Sequence, residues 1–305
     1  MPLLAPANTE AGAAIRGILL MTFAAAMFSC LDTAAKYLNQ TMESVDIVWL
    51  RYAFHVLILA LYFRVWRNLR PFRTQHVFWH ILRGLCLLGA TFFNFWALRY
   101  LQLAETSAIM FAGPLVVTAL AGPLLGEQVG IRRWIAVGIG FIGVLIVTRP
   151  GTGAMHWAAG LSGIGMLCYA SYSLLTRRMH RTESQESLMM LSALVGMVLL
   201  VPYSGHALMD LSGWAWGIAV LMGIFGAIGH GAMVVAHRVA SASLLAPFIY
   251  TQMVWMITFG YVIFDDTPDL WTIVGTLVIA GAGLYILHRE RVRGQHVTVR
   301  DPAVQ

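Results

Sequence analysis

The chain has 305 residues, 59% of them hydrophobic and only 11% charged, with a mean hydropathy of +0.72. A soluble domain devotes about a quarter of its residues to charge, so a soluble enzyme, a DNA-binding module and a disordered chain are excluded together; the class left is a helical protein that crosses the bilayer many times. The formal net charge is +6, but its 19 arginines and single Lys36 are scattered in short gaps between apolar runs instead of gathered on one face, which excludes nucleic acid as a partner.

A bilayer core takes about 20 apolar residues of helix. Ten such runs follow one another: 16–38, 45–65, 80–100, 104–125, 133–149, 157–177, 186–203, 214–236, 240–264 and 269–288. Their short connections leave no extramembrane domain of independent size. Residues 1–15 lack a basic n-region and the first run is long enough to span, so a signal peptide is not expected and this run stays as the first helix. Cys30, Cys86 and Cys168 sit singly in apolar stretches, without a CxxC pair or His spacing, and read as small buried side chains with no metal among them.

Direction follows from counting basic residues in alternate gaps. One set of ends holds 16 of the 20, including Arg16, Arg64, Arg67, Arg70, Arg73, Arg132, Arg178 and Arg238. The opposite set holds Lys36, Arg51, Arg99 and Arg149, together with Glu43, Asp46, Asp265, Asp266 and Asp269. Both termini are therefore expected on the cytoplasmic side and the number of spans is even. Trp66, Trp79 and Trp134 at one set of ends, and Trp157, Trp214 and Trp271 at the other, agree with the preference of indole for the interface.

The two halves echo each other. Ala97-Leu98-Arg99 leads into a run broken by Gly113-Pro114 and then to Trp134 and Gly138; about 138 residues later Ala236-His237-Arg238 leads to Pro247, Trp271 and Gly275. Five spans per half is an odd number, so the second half is expected upside down relative to the first, giving two inverted five-helix bundles.

The stretch Asp32–Leu38, the Arg51-Tyr52 pair, Arg83-Gly84, and Ala104 to Glu127 with its Gly113-Pro114 and Gly126-Glu127 resemble the EamA-like branch of the drug/metabolite transporter superfamily. The resemblance covers about residues 15–288. It divides the chain into a tail at 1–15, one five-helix repeat at 16–149, a second at 157–288 and a basic tail at 289–305. Where the family often repeats Gly-Glu at the end of the ninth helix, this chain has Phe264-Asp265-Asp266.

Gly138-Ile139-Gly140-Phe141-Ile142-Gly143 spells a dinucleotide-binding pattern, but it lies inside an apolar run without a preceding strand and reads as close helix packing. Asp32 and Lys36 are the sharpest polar feature, since each ionised group in a span costs about 2.5 to 3.5 kcal/mol to insert. Two roles fit them: a coupling carboxylate or solute contact, or an i, i+4 ion pair with Lys36 reaching the interface. Arg51 is a structural partner for Asp32 or a fork for a carboxylate solute, and His55 lies one turn deeper on the same face.

Asn94, Trp96, Tyr169, Tyr172, His230, Tyr250, Gln252 and Trp255 are polar or amphipathic groups near midmembrane. They tie helices together or, by the resemblance, border a central cavity. Gly113, Pro114, Pro123 and Pro247 interrupt helix hydrogen bonding within two corresponding runs and mark candidate hinges beside such a site.

The expectation is an all-α transporter, not an enzyme, with no cofactor. It would sit in the plasma membrane, bacterial inner membrane by the resemblance, as a monomer or homodimer. By the resemblance its solute is a small organic metabolite, amino acids and their derivatives leading and efflux the favoured direction, with protons as a candidate coupling partner. The alternatives are import of a vitamin or nutrient, and a membrane scaffold or receptor that transports nothing.

Overall fold

The computed structural model describes residues 7–125, 130–151, 155–179, 182–204, 212–240 and 242–297. Gly126, Glu127, Arg181, Asp210 and Arg300, and the side chains of Pro123, Pro247, Arg133 and Arg177, lie outside the described residues. Among the described residues all regular structure is helical: α1 (Ala7–Leu38), α2 (Ser44–Phe63), α3 (Val77–Leu98), α4 (Leu103–Met110), α5 (Gly113–Leu125), α6 (Ile131–Thr148), α7 (Ala158–Met179), α8 (Gln185–Leu200), α9 (Gly213–Val239), α10 (Ala242–Ile249), α11 (Thr251–Phe264) and α12 (Leu270–Val297). Two 3₁₀ turns, Arg70–Phe72 and Val201–Tyr203, join them.

Among the described residues seven stretches are long and apolar enough to cross a bilayer: Gly12–Leu38, Ser44–Phe63, Val77–Leu98, Leu103–Leu120, Ala158–Thr176, Gln185–Tyr203 and Gly213–Val239. Three further apolar helical stretches, Trp134–Thr148, Thr251–Phe264 and Leu270–Ile286, are shorter. Large side chains such as Leu57, Phe141, Val262 and Leu277 point outward with half or more of their surface open. In water that belt would drive aggregation; in hydrocarbon it is the matched surface.

Helix ends carry local signals. Glu105 accepts a hydrogen bond from the backbone N–H of Gln102 at 2.9 Å and so closes the start of α4. Ser184 accepts from the Ser187 N–H at 3.1 Å at the start of α8. Arg64, Arg149 and Asp265, which have positive φ, end α2, α6 and α11 in the left-handed conformation that frees the chain to turn.

The run 104–125 is broken into α4 and α5 at Phe111-Ala112, immediately before Gly113-Pro114. Pro114 has no N–H to give the Met110 carbonyl and its ring pushes that carbonyl aside. The run 240–264 is broken into α10 and α11 at Tyr250, three residues beyond Pro247. The two break residues share a conformation, φ −67 and ψ −12 at Phe111 against φ −69 and ψ −11 at Tyr250.

α1 lies along α9, α3 along α7, and α6 along α12. At the last crossing a Cβ on either Gly143 or Gly275 would collide with the other helix's backbone, so two glycines bring the helix axes to their closest approach. Within Gly138–Gly143, Gly140 packs against Leu115 and Gly143 against α12, whereas a Cβ on Gly138 would meet open space. One apolar cluster, around Leu38, Ile47, Tyr52, Phe95, Met222 and Met256, fills the space between α1, α2, α3, α9 and α11. A second, around Ala108, Phe111, Leu115, Ala136, Met253 and Ile279, fills that between α4, α5, α6, α11 and α12.

Candidate functional site

Between the two clusters lies a cavity of about 240 Å³, bordered by α1, α2, α3, α4, α5, α7, α9, α10 and α11. Its wall is mostly apolar: Met21, Phe28, Leu31, Phe95, Met110, Phe111, Met233 and Ile249. The polar groups that break this wall are Asp32, Arg51, Thr91, Asn94, Thr106, Ser107, Tyr169, His230, Tyr250 and Gln252.

Arg51 is 7% exposed and faces the cavity from α2. Its Nη1 donates to the Thr91 hydroxyl at 3.1 Å, and that hydroxyl shares a second hydrogen bond with the Tyr52 hydroxyl at 3.0 Å. The guanidinium also lies 4.8 Å from the centre of the Tyr52 ring and 5.9 Å from that of Phe95, close enough for cation–π attraction. Its Nε has no partner. Asn94 donates to Asp32 across a long 3.5 Å, while its own carbonyl oxygen is buried without a partner. The cavity thus holds a guanidinium and a carboxylate that are only partly satisfied by protein, and unpaired buried polar atoms are costly unless something else meets them.

His230 meets Phe28 at 5.0 Å between ring centroids and His55 at 5.7 Å. His55 is buried behind it, against Gly226, and takes no part in the wall. The Tyr250 ring borders the cavity and meets Phe111 edge-on at 5.1 Å, so the two break residues touch. The Tyr250 hydroxyl points away toward Gly283.

Eight of the residues singled out from sequence therefore converge on one cavity: Asp32, Arg51, Asn94, Pro114, Tyr169, His230, Tyr250 and Gln252. The others stand apart. Trp96 packs between Phe92 and Trp157, and Trp255 beside Phe259. The Tyr172 hydroxyl accepts from Arg83 at 2.8 Å, within a knot in which Arg83 also donates to Thr176, Ser192 and the Leu188 carbonyl. Gly113 sits against Tyr169 at the start of α5, and Pro247 falls within α10. Lys36 does not pair with Asp32: it bonds the Asp266 carboxylate and the Leu101 carbonyl and lies over the Phe264 ring.

Thr91, Thr106 and Ser107 were not singled out from sequence. A hydroxyl in an apolar run carries little signal, because Thr118, Thr148 and Thr276 have the same appearance and merely bond the carbonyl four residues back. Thr91 lies one turn from Asn94 on α3, and that spacing is the only trace of its role.

Lys36 belongs to a clasp at one end of the molecule. The segment after α11 is held by Lys36 at Asp266, by Gln102 at the Thr267 carbonyl, and by Arg149 at Asp269. Nearby, Arg99 pairs with Glu43 at 2.7 Å. Partial burial pushes the Asp269 carboxyl up, but the Thr272 N–H and Arg149 outweigh it and hold it below its ordinary value of 3.8. At the other end Glu183 accepts from the Thr74 hydroxyl at 2.9 Å and the Gln75 N–H at 3.3 Å and faces His80. There too burial opposes ionisation, yet these donors keep the Glu183 carboxyl below its usual range.

The sequence pattern of the EamA-like transporter family matches the chain twice, over residues 15–149 and 156–288. An S-adenosylmethionine uptake transporter of Rickettsia felis is 26% identical over 86% of this chain and 89% of its own length. A riboflavin transporter of Vibrio cholerae is 26% identical over 88% of this chain and 92% of its own length. One crystal structure superposes with a TM-score of 0.57 at 18% identity, covering 93% of this chain and 99% of that one, a likeness of fold alone. With the family pattern spanning most of the chain twice over, and with its long apolar helices making it a multi-pass membrane protein, the chain belongs to the EamA-like transporter family.

Proposed function

We propose that the protein is a ten-helix secondary transporter, with both termini in the cytoplasm, that carries a small zwitterionic or polar-headed metabolite through the cavity by alternating access. The observation that carries the reading is the meeting of Asp32, Arg51 and Asn94, with unpaired polar atoms, in an apolar and aromatic chamber between two broken helices. A guanidinium suits a carboxylate and a carboxylate suits an ammonium or sulfonium, while Phe28, Phe95, Phe111 and Met110 offer faces for an apolar or planar remainder.

Inverted repeats are supported by the packing. Exchanging the halves turns the α1–α9 contact into α7–α3 and leaves the α6–α12 crossing in place. Phe111 and Tyr250, in contact at the centre, are 139 positions apart, the same separation as Arg99 and Arg238. Of the two directions considered from sequence, efflux of an amino acid and import of a nutrient, the uptake activity named for one relative favours import. The cavity's 240 Å³ lies below the roughly 300 Å³ at which drug-sized pockets begin. An amino-acid-sized solute fits it as it stands, and a larger one requires the chamber to widen.

Purified protein in proteoliposomes, offered labelled amino acids, S-adenosylmethionine and riboflavin with and without a pH gradient, tests this. Saturable uptake of a zwitterionic solute is expected. Uptake of riboflavin alone would replace the solute class, and no flux across the panel would remove the proposal.

A further inference from the structure

The connection between α2 and α3 reads Arg64-Val65-Trp66-Arg67-Asn68-Leu69-Arg70-Pro71-Phe72-Arg73. Arginine recurs at every third position, a large apolar side chain precedes each of the last three arginines, and no acidic residue interrupts the series. A loop of merely solvated polar residues has no reason to keep that period.

The structure holds this strap in a defined shape. Arg64 is left-handed, and the Val65 and Asn68 N–H groups bond the carbonyls of Ala60 at 3.1 Å and Arg64 at 3.2 Å. The Asn68 side chain accepts from the Arg70 N–H at 3.0 Å, Arg70–Phe72 forms a 3₁₀ turn, and Pro71 is buried where that turn packs on α8. Every other apolar group of the period is open: Trp66 is 62% exposed, Leu69 63% and Phe72 40%.

The four arginines are exposed as well and engage no carboxylate among the described residues. The contrast with the opposite end is sharp, since Lys36, Arg99 and Arg149 there each hold an acid. Position supplies the partner: the strap joins the ends of two spanning helices and therefore lies at headgroup level. There indole rings settle, apolar side chains enter the acyl boundary, and clustered arginines meet anionic lipid.

We propose that residues 64–73 form a binding surface for anionic phospholipid. The guanidiniums of Arg64, Arg67, Arg70 and Arg73 take headgroup phosphate oxygens, and Trp66, Leu69 and Phe72 sit among the acyl chains beneath. With its backbone already held, the strap presents these groups without a backbone ordering cost on binding.

Native mass spectrometry of the delipidated full chain, titrated with phosphatidylglycerol or phosphatidylcholine, tests it. Each arginine beside an anionic surface contributes on the order of a fivefold gain in binding. The wild type is therefore expected to prefer phosphatidylglycerol by more than tenfold. The R64Q/R67Q/R70Q/R73Q variant is expected to lose that preference, while R16Q/R132Q keeps it. If the quadruple variant does not fold, R67Q and R70Q singly are expected each to lose roughly fivefold. Retention of the preference by the strap variants, an equal loss in R16Q/R132Q, or displacement of the lipid by equimolar inorganic phosphate would overturn the assignment.

Discussion

Arg51 is a cation held in the apolar centre of the molecule by one hydroxyl, two aromatic rings and no carboxylate in hydrogen-bond contact. Keeping it there costs about 2.5 to 3.5 kcal/mol on insertion scales, an expense packing alone would avoid with leucine. Arg51→Gln is expected to raise the KM of a carboxylate-bearing solute tenfold or more with a smaller change in kcat, read from initial uptake rates. Thr91→Val removes a hydrogen bond to a charged group, worth about 1.5 to 3 kcal/mol. It should shift KM in the same direction by less, because the aromatic faces still hold the guanidinium. Asp32→Asn is expected to abolish accumulation driven by a pH gradient while solute exchange persists; unchanged accumulation would remove Asp32 from the coupling step. Arg51 and Asp32 were legible in sequence because charge in an apolar run is rare. Thr91 was not, and neither was the partner of Lys36, since Asp266 lies 230 positions away and an i, i+4 spacing to Asp32 was nearer to hand.

At the scale of elements, hydropathy marked the apolar helices well, because a membrane rewards one pattern and short connections punctuate it. It marked breaks less well. Pro114 sits where α5 begins, as lost amide and displaced carbonyl require, whereas the second break falls at Tyr250, past Pro247, where side-chain contact with Phe111 accompanies it. Pro114→Ala restores the missing donor and is expected to slow turnover with little change in KM; unchanged turnover would show that the kink is not used. The clasp after α11 has its own pH signature. Asp269 is held below its ordinary value of 3.8, so its contribution is complete above that pH and is lost as pH falls through the lower folded value. Asp269→Asn should therefore lower the melting temperature slightly at pH 7, an exposed pair being worth about 0 to 1 kcal/mol, with the difference kept down to pH 3.8 and fading only below it. Any pH dependence of transport between pH 5 and 8 should survive that change.

At the scale of the molecule, the pattern of basic residues and the echo between halves gave a topology before any helix was placed. In favour of the proposed exchange of halves, α1 packs on α9 and α3 on α7, with α6 crossing α12. A central cavity was expected from the resemblance, but which side chains line it was only partly legible in the sequence. Nine helical segments meet there, and which of several midmembrane aromatics face inward depends on rotations that composition does not fix: Tyr169 borders the cavity, while Tyr172, three residues on, serves Arg83. The claim that this chamber is the transport path is tested most directly by filling it. Ala24 is buried and borders the cavity, whereas Leu57 faces outward from α2. With melting temperatures measured alongside, Ala24→Phe is expected to reduce saturable uptake in proteoliposomes at least tenfold while Leu57→Phe leaves it unchanged. Wild-type uptake by a folded Ala24→Phe protein would contradict the account.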